Sequence, residues 1–167
     1  MSTQQLFSDV PESNLKRAVE LVEQTLTALG VDLASSRVRS LDGIDRFAVR
    51  RGSARVLLSI HPPPGDGSSD DGSIRVMAPV ITLPDPDVRP ELYERLLQIN
   101  ARDLCGVAFG IDPDEGMVVL VTERSVRDLD ASEVQGMLEA IGRTADRFDD
   151  ELAKDFGAQR ASDIRRP

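Results

Sequence analysis

Residues 106–121 read Gly106-Val107-Ala108-Phe109-Gly110-Ile111-Asp112-Pro113-Asp114-Glu115-Gly116-Met117-Val118-Val119-Leu120-Val121. Val107, Phe109 and Ile111 alternate with smaller residues, and Val119 with Val121 repeats the period of two that marks a half-buried strand. Asp112–Gly116 between them is turn chemistry, because Pro cannot donate to a ladder and Asp and Gly favour tight turns. The stretch therefore predicts a β-hairpin, with strands over 104–111 and 117–123. Helical periods flank it on both sides. Leu92, Leu96 and Ile99, widened by Leu97, predict a helix over 88–102. Val134, Leu138, Ile141, Ala145, Phe148 and Leu152, at steps of four and three, predict a long helix from a cap at Asp130 or Ser132 to about residue 156.

The first half of the chain has the same composition of parts. Leu15, Val19, Val22, Leu26 and Leu29 form one helical stripe between Pro11 and the expected stop at Gly30. Phe47 and Val49 alternate with Arg46, Ala48 and Arg50. After the turn Arg51-Gly52-Ser53, Val56, Leu58 and Ile60 continue the period, which reads as a second hairpin. A loop rich in Pro, Gly, Asp and Ser over 62–73 precedes a third strand through Ile74, Val76, Ala78 and Val80. The expected order is helix, three strands, helix, two strands, helix (αβββαββα). It predicts an α+β two-layer sandwich, a five-stranded antiparallel sheet covered by helices. One domain over 11–156 is expected, between a flexible arm at 1–10 and a flexible tail at 157–167.

Composition narrows the function. Against 29 Asp and Glu stand 20 Lys and Arg, a net charge of −9. An acidic chain with 4% aromatic residues and no Trp is poorly suited to phosphate backbones or base stacking, so direct nucleic-acid binding is not expected. Purely apolar runs such as Met117–Val121 fall far short of the ~20 residues a membrane helix needs. The first residues carry no basic-then-apolar pattern, so no secretory signal is expected. A lone Cys105 fits a reducing compartment, and a cytoplasmic location is expected.

The chemistry-bearing residues are few. His61, the one histidine, ends a strand before three prolines and reads as a polar strand-end residue rather than a base or ligand. Cys105 reads as a small buried apolar residue. The Asp clusters at 66–71, 85–87 and 112–115 lack calcium-loop spacing and read as turns. Arg46, Arg50, Arg51 and Arg55 read as the solvated face of a hairpin. No catalytic residue, metal site or cofactor is expected. Leu92, Tyr93, Leu96 and Leu97 are the candidate dimer or partner surface, with the alternative that all four belong to the chain's own core.

Three stretches in order carry a family resemblance. Leu96-Leu97-Gln98-Ile99-Asn100-Ala101 ends a helix, the hairpin follows, and a long acidic helix passes through Phe148-Asp149-Asp150-Glu151-Leu152. This resembles the YbjN family, whose domain is similar to the type III secretion chaperones of the Tir/CesT group, over roughly residues 11–156. The resemblance implies a homodimer and a non-enzymatic, chaperone-like or regulatory module that binds a segment of another protein, its client. The loop at 62–73 matches no motif of that family. A small-ligand sensor or enzyme with a cavity between sheet and helices is the alternative function.

Overall fold

A computed structural model describes residues 9–39, 42–63 and 71–164, with side chains from residue 14 onward. The chain runs α1 (Asp9–Ala28), α2 (Leu33–Ser36), β1 (Arg37–Val38), β2 (Asp45–Arg51), β3 (Ala54–His61), β4 (Ser73–Thr82), α3 (Arg89–Arg102), β5 (Ala108–Asp112), β6 (Met117–Ser125) and α4 (Ala131–Phe156). Short 3₁₀ turns sit at Pro86–Val88 and Ala161–Asp163. The strands form one antiparallel sheet in the order β1-β2-β3-β4-β6-β5.

The sheet has six strands where five were expected. The extra one, β1, pairs Arg37 with Phe47 and Val38 with Arg46. Two residues are too few to show a period of two, so no pattern in the sequence announces it. Of the arm expected at 1–10, residues 1–8 lie outside the described residues, and Asp9 and Val10 already belong to α1. Residues 64–70 of the proline loop lie outside them as well.

The chain falls into two compact units, each discontinuous in sequence. The first holds the described residues up to Val49, with Leu57–Arg75 and Glu123–Gly136. Its buried residues include Ala18, Val22 and Leu26 of α1, and Phe47, Leu58, Ile60 and Ile74 of the strands. The helix stripe is thus centred on Ala18–Val22–Leu26, and Leu29, expected in it, is 44% exposed. The helix ends before Leu29. Gly30 takes φ +80°, Val31 N–H donates to the Leu26 carbonyl and Gly30 N–H to that of Thr27. That is a Schellman cap, which turns the chain off the helix axis and leaves Leu29 outside. Asp130 supplies the cap of α4: its Oδ1 accepts from Glu133 N–H, and Glu133 Oε2 accepts from Asp130 N–H. This reciprocal pair is a capping box, which satisfies two otherwise orphaned donors.

The second unit holds Arg50–Val56, Val76–Thr122 and the chain from Met137 through the last described residue, Ile164. Leu92, Leu96 and Ile99 of α3 are buried, as are Leu138, Ile141, Ala145, Phe148 and Leu152 of α4. Phe109 of β5 meets Phe148 edge-on, with ring centroids 5.6 Å apart. Each buried Leu, Ile or Phe among them contributes roughly 1.5–3 kcal/mol, which is why the two helical stripes are spaced so regularly.

The tail expected to be flexible is placed through Ile164 in defined contacts, and residues 165–167 lie outside the described residues. Gln159 is hydrogen-bonded to Thr82 and Arg160 bridges Ile81. Polar composition alone suggested an unstructured end; backbone pairing with a strand needs no apolar side chains and leaves no trace in composition.

Candidate functional site

Helix α3 separates the four candidate surface residues into two pairs. Leu92 is fully buried and Leu96 is 4% exposed, whereas Tyr93 is 37% and Leu97 67% exposed. The cause is helical geometry: each residue turns about 100° from the last, so Leu92, Leu96 and Ile99 share one stripe and Tyr93 and Leu97 share the next. Glu94 and Gln98, bonded to each other at 3.0 Å, and Arg95, ion-paired with Glu151 at 2.7 Å, rim the exposed pair with polar groups.

Strand β5 is one edge of the sheet. The N–H of Phe109 donates to Asn100 Oδ1 at 2.8 Å, and its carbonyl accepts from Asn100 Nδ2 at 3.2 Å. The side-chain amide of Asn100 thus stands where a further strand would pair. Phe109 lies opposite Leu120 and Ile111 opposite Val118. Antiparallel strands alternate the direction of their polar groups, so Ile111 turns its N–H and carbonyl to the same outer edge as Phe109. Ile111 is itself 37% exposed. The second unit therefore presents Tyr93 and Leu97 on a helix, and Ile111 on a sheet edge that is capped one residue pair earlier.

The opposite edge, in the first unit, is β1. Arg37 is paired with Glu23 and Asp45 and lies over the Phe47 ring, 5.2 Å from its centroid. Beside it a shallow groove of about 470 Å³ is lined by Glu20, Glu23, Gln24, Thr27, Ala28 and Leu33. Of these, Glu20 and Glu23 are acidic, and Glu23 is already paired with Arg37.

His61, at the end of β3, is half-buried and shares a 2.8 Å hydrogen bond with Ser59. Burial lowers its pKa first, with Arg75 next; Arg46 lowers it further, while Glu123 and Asp42 oppose. Glu123 nearby accepts from Ser73 at 2.6 Å and from Arg75 at 2.6 and 2.9 Å. Burial pushes that carboxyl up, but these bonds outweigh it and its pKa is net lowered. Among the described residues no three His, Cys, Asp or Glu side chains converge as a metal site requires. Asp71, read as part of a turn, is buried and paired with Arg127.

One reading changes. Cys105 is exposed rather than buried, because the strand begins at Ala108 and Gly106, at φ +73°, makes the preceding segment a turn. On the hairpin face expected to be solvated, Arg50, Arg51 and Arg55 are exposed, and Arg46 and Arg51 are ion-paired at the surface with Asp42 and Glu139. Asn100 was visible in sequence as a helix-end residue, but its role needed the position of β5.

A family model described as "T3SS (YopN, CesT) and YbjN peptide-binding chaperone" matches residues 14–164. No curated protein matches the chain. Among solved structures, a chain of the HopA1–SchA chaperone–effector complex is similar in fold, with a TM-score of 0.54 and 13% identity, covering 83% of this chain and 97% of that one. A chain of the ExsC–ExsE complex gives 0.53 at 15% identity, covering 82% and 93%. One from the ExoT–SpcS complex of Pseudomonas aeruginosa gives 0.50 at 17%, covering 80% and 96%.

Two outcomes are expected. The unfolded chain protonates His61 near pH 6.5 while the folded chain resists, so its contribution to stability is full above that pH and is lost as the pH falls through the lowered folded value. Urea midpoints measured from pH 7.5 down to pH 5.5 are expected to fall for the wild type and to fall less for His61→Gln; equal slopes would contradict the assignment. On α3, Leu96→Glu buries a charge and is expected to cost more than about 3 kcal/mol. Leu97→Glu, at an exposed site, is expected to leave the far-UV circular dichroism of the folded chain unchanged.

Proposed function

The chain belongs to the family of T3SS (YopN, CesT) and YbjN peptide-binding chaperones, and on that premise we propose that it is a non-enzymatic chaperone, a homodimer that holds an extended segment of another protein. The observation that carries the dimer is the exposed Tyr93–Leu97 pair on α3, rimmed by Glu94, Arg95 and Gln98. A second copy of the same face would cover it, and a twofold interface needs only a self-complementary patch. The HopA1–SchA complex, whose chain is similar in fold, is named for a chaperone with its effector, which supports a protein client here.

The client segment is extended because the chemistry on offer suits a strand. Peptide recognition by strand addition uses main-chain hydrogen bonds for affinity and pockets for alternate side chains for specificity. The short β1 edge with its shallow groove, and Ile111 on the β5 edge, supply such elements in their respective units. The net charge of −9 keeps the chain soluble while apolar residues stay exposed, and it favours neutral or basic segments. The chain works in the cytoplasm, where exposed Cys105 stays reduced.

An immobilised array of short, unrelated extended peptides tests this directly. The purified chain is expected to retain a subset rich in apolar and basic residues and to pass over the acidic ones. Retention of none, with the chain folded by circular dichroism, would overturn the reading.

A further inference from the structure

The chain leaves α4 at Gly157, whose φ of +62° lets the backbone turn, and Ala158 N–H donates back to the Ala153 carbonyl at 3.0 Å. The residues that follow lie along the end of β4. The Gln159 carbonyl accepts from Thr82 N–H at 2.8 Å, and Gln159 N–H donates to Thr82 Oγ1 at 3.0 Å. Arg160 faces Ile81 in an antiparallel bridge. A second lock is ionic. Arg160 donates to Asp150 on α4 at 2.6 Å and to Asp163, in its own segment, at 2.8 and 3.0 Å. Hydrogen bonds to Asp163 and then to Asp150 push the Arg160 pKa above its ordinary value, so the guanidinium stays charged. A hollow of about 490 Å³ adjoins it, lined by Asp150, Ala153 and Lys154 of α4 and by the segment itself.

What the segment lacks is as informative as what it has. None of residues 157–164 is buried, and the Arg160 and Asp150 side chains are 38% and 77% exposed. Exposed ion pairs of this kind hold weakly. The segment is attached by main-chain pairing and one charge contact, the means by which proteins recognise extended peptides.

We infer that the end of β4, together with Asp150, is a peptide-accepting site that the chain's own residues 159–163 fill, and that an extended peptide with arginine in the place of Arg160 displaces them. Thr82 offers such a peptide one backbone donor and one hydroxyl acceptor, and Asp150 selects the arginine. The segment also sets a threshold: a site filled by its own chain binds a competitor with an apparent affinity reduced by the fraction of time it stands open. The inference deepens the peptide-binding reading and rests on it.

The probe is a fluorescent peptide of residues 157–164, Gly-Ala-Gln-Arg-Ala-Ser-Asp-Ile, titrated by anisotropy into the full-length wild type and full-length Arg160→Glu. Arg160→Glu places like charges at Asp150 and frees the site. It is expected to bind the peptide at least ~10-fold more tightly than the wild type, with faster hydrogen exchange at the Thr82 amide. A probe with its arginine replaced by glutamate is expected not to bind, and Asp150→Asn added to Arg160→Glu, which removes the selecting carboxylate without restoring an ion pair, is expected to abolish binding. Equal affinity of wild type and Arg160→Glu, or a Thr82 amide equally protected in both, would overturn the inference; circular dichroism confirms that the variants are folded. If the peptide array binds while this probe does not, only the exchange at β4 fails. If neither binds, the peptide-binding reading fails with it.

Discussion

Every N–H and carbonyl along an open sheet edge has to be satisfied, shielded or left to a partner, and this constraint organises the molecule. Three places meet it by three different means. At β5 the Asn100 amide occupies the outer polar groups of Phe109 with two hydrogen bonds. At the other edge β1 is cut to two residues and carries Arg37, whose charge is shared between Glu23 and Asp45. At the end of β4 the backbone of Gln159 takes the place of a neighbouring strand. A protein that recognises extended segments must keep its edges from pairing indiscriminately while leaving some exchangeable. A side-chain amide cap, a shortened strand and a pairing segment with no buried residue differ in how readily each gives way.

Helix α3 faces a related constraint. A helix of 14 residues can commit one stripe to the interior, and Leu92, Leu96 and Ile99 take it. Tyr93 and Leu97 remain apolar and outside. Single exposed apolar residues are ordinary on a soluble protein; the proposed dimer asks more of this adjacent pair, that a second copy covers it.

The parts of the fold that rest on burial could be read from the sequence, because burial imposes a period. The stripe of α4 from Val134 to Leu152 appears at its expected positions, whereas on β5 only Phe109 of the expected alternation is buried and Ile111 is exposed. The helix ends at Gly30 and Asp130 were legible because capping favours particular side chains, but what rests on backbone pairing alone was not. Strand β1 has too few residues for a period, and Gln159 pairs through its backbone, to which side-chain identity gives no clue. The candidate surface was half legible: the sequence grouped Leu92, Tyr93, Leu96 and Leu97, but only the rotation of α3 divides them into core and surface. Cys105 is obscured for a comparable reason: the apolar run suggests a strand from residue 104, whereas β5 begins at Ala108 and Cys105 lies exposed in the turn before it.

The outward pair on α3 is the point on which the dimeric chaperone reading turns, and absolute mass in solution tests it most directly. Light scattering after size exclusion, repeated over a series of dilutions, is expected to give twice 18.2 kDa with no dependence on dilution until the lowest concentrations. A mass of 18.2 kDa at every concentration would contradict it and would leave Tyr93 and Leu97 as solvent-exposed residues of a monomer.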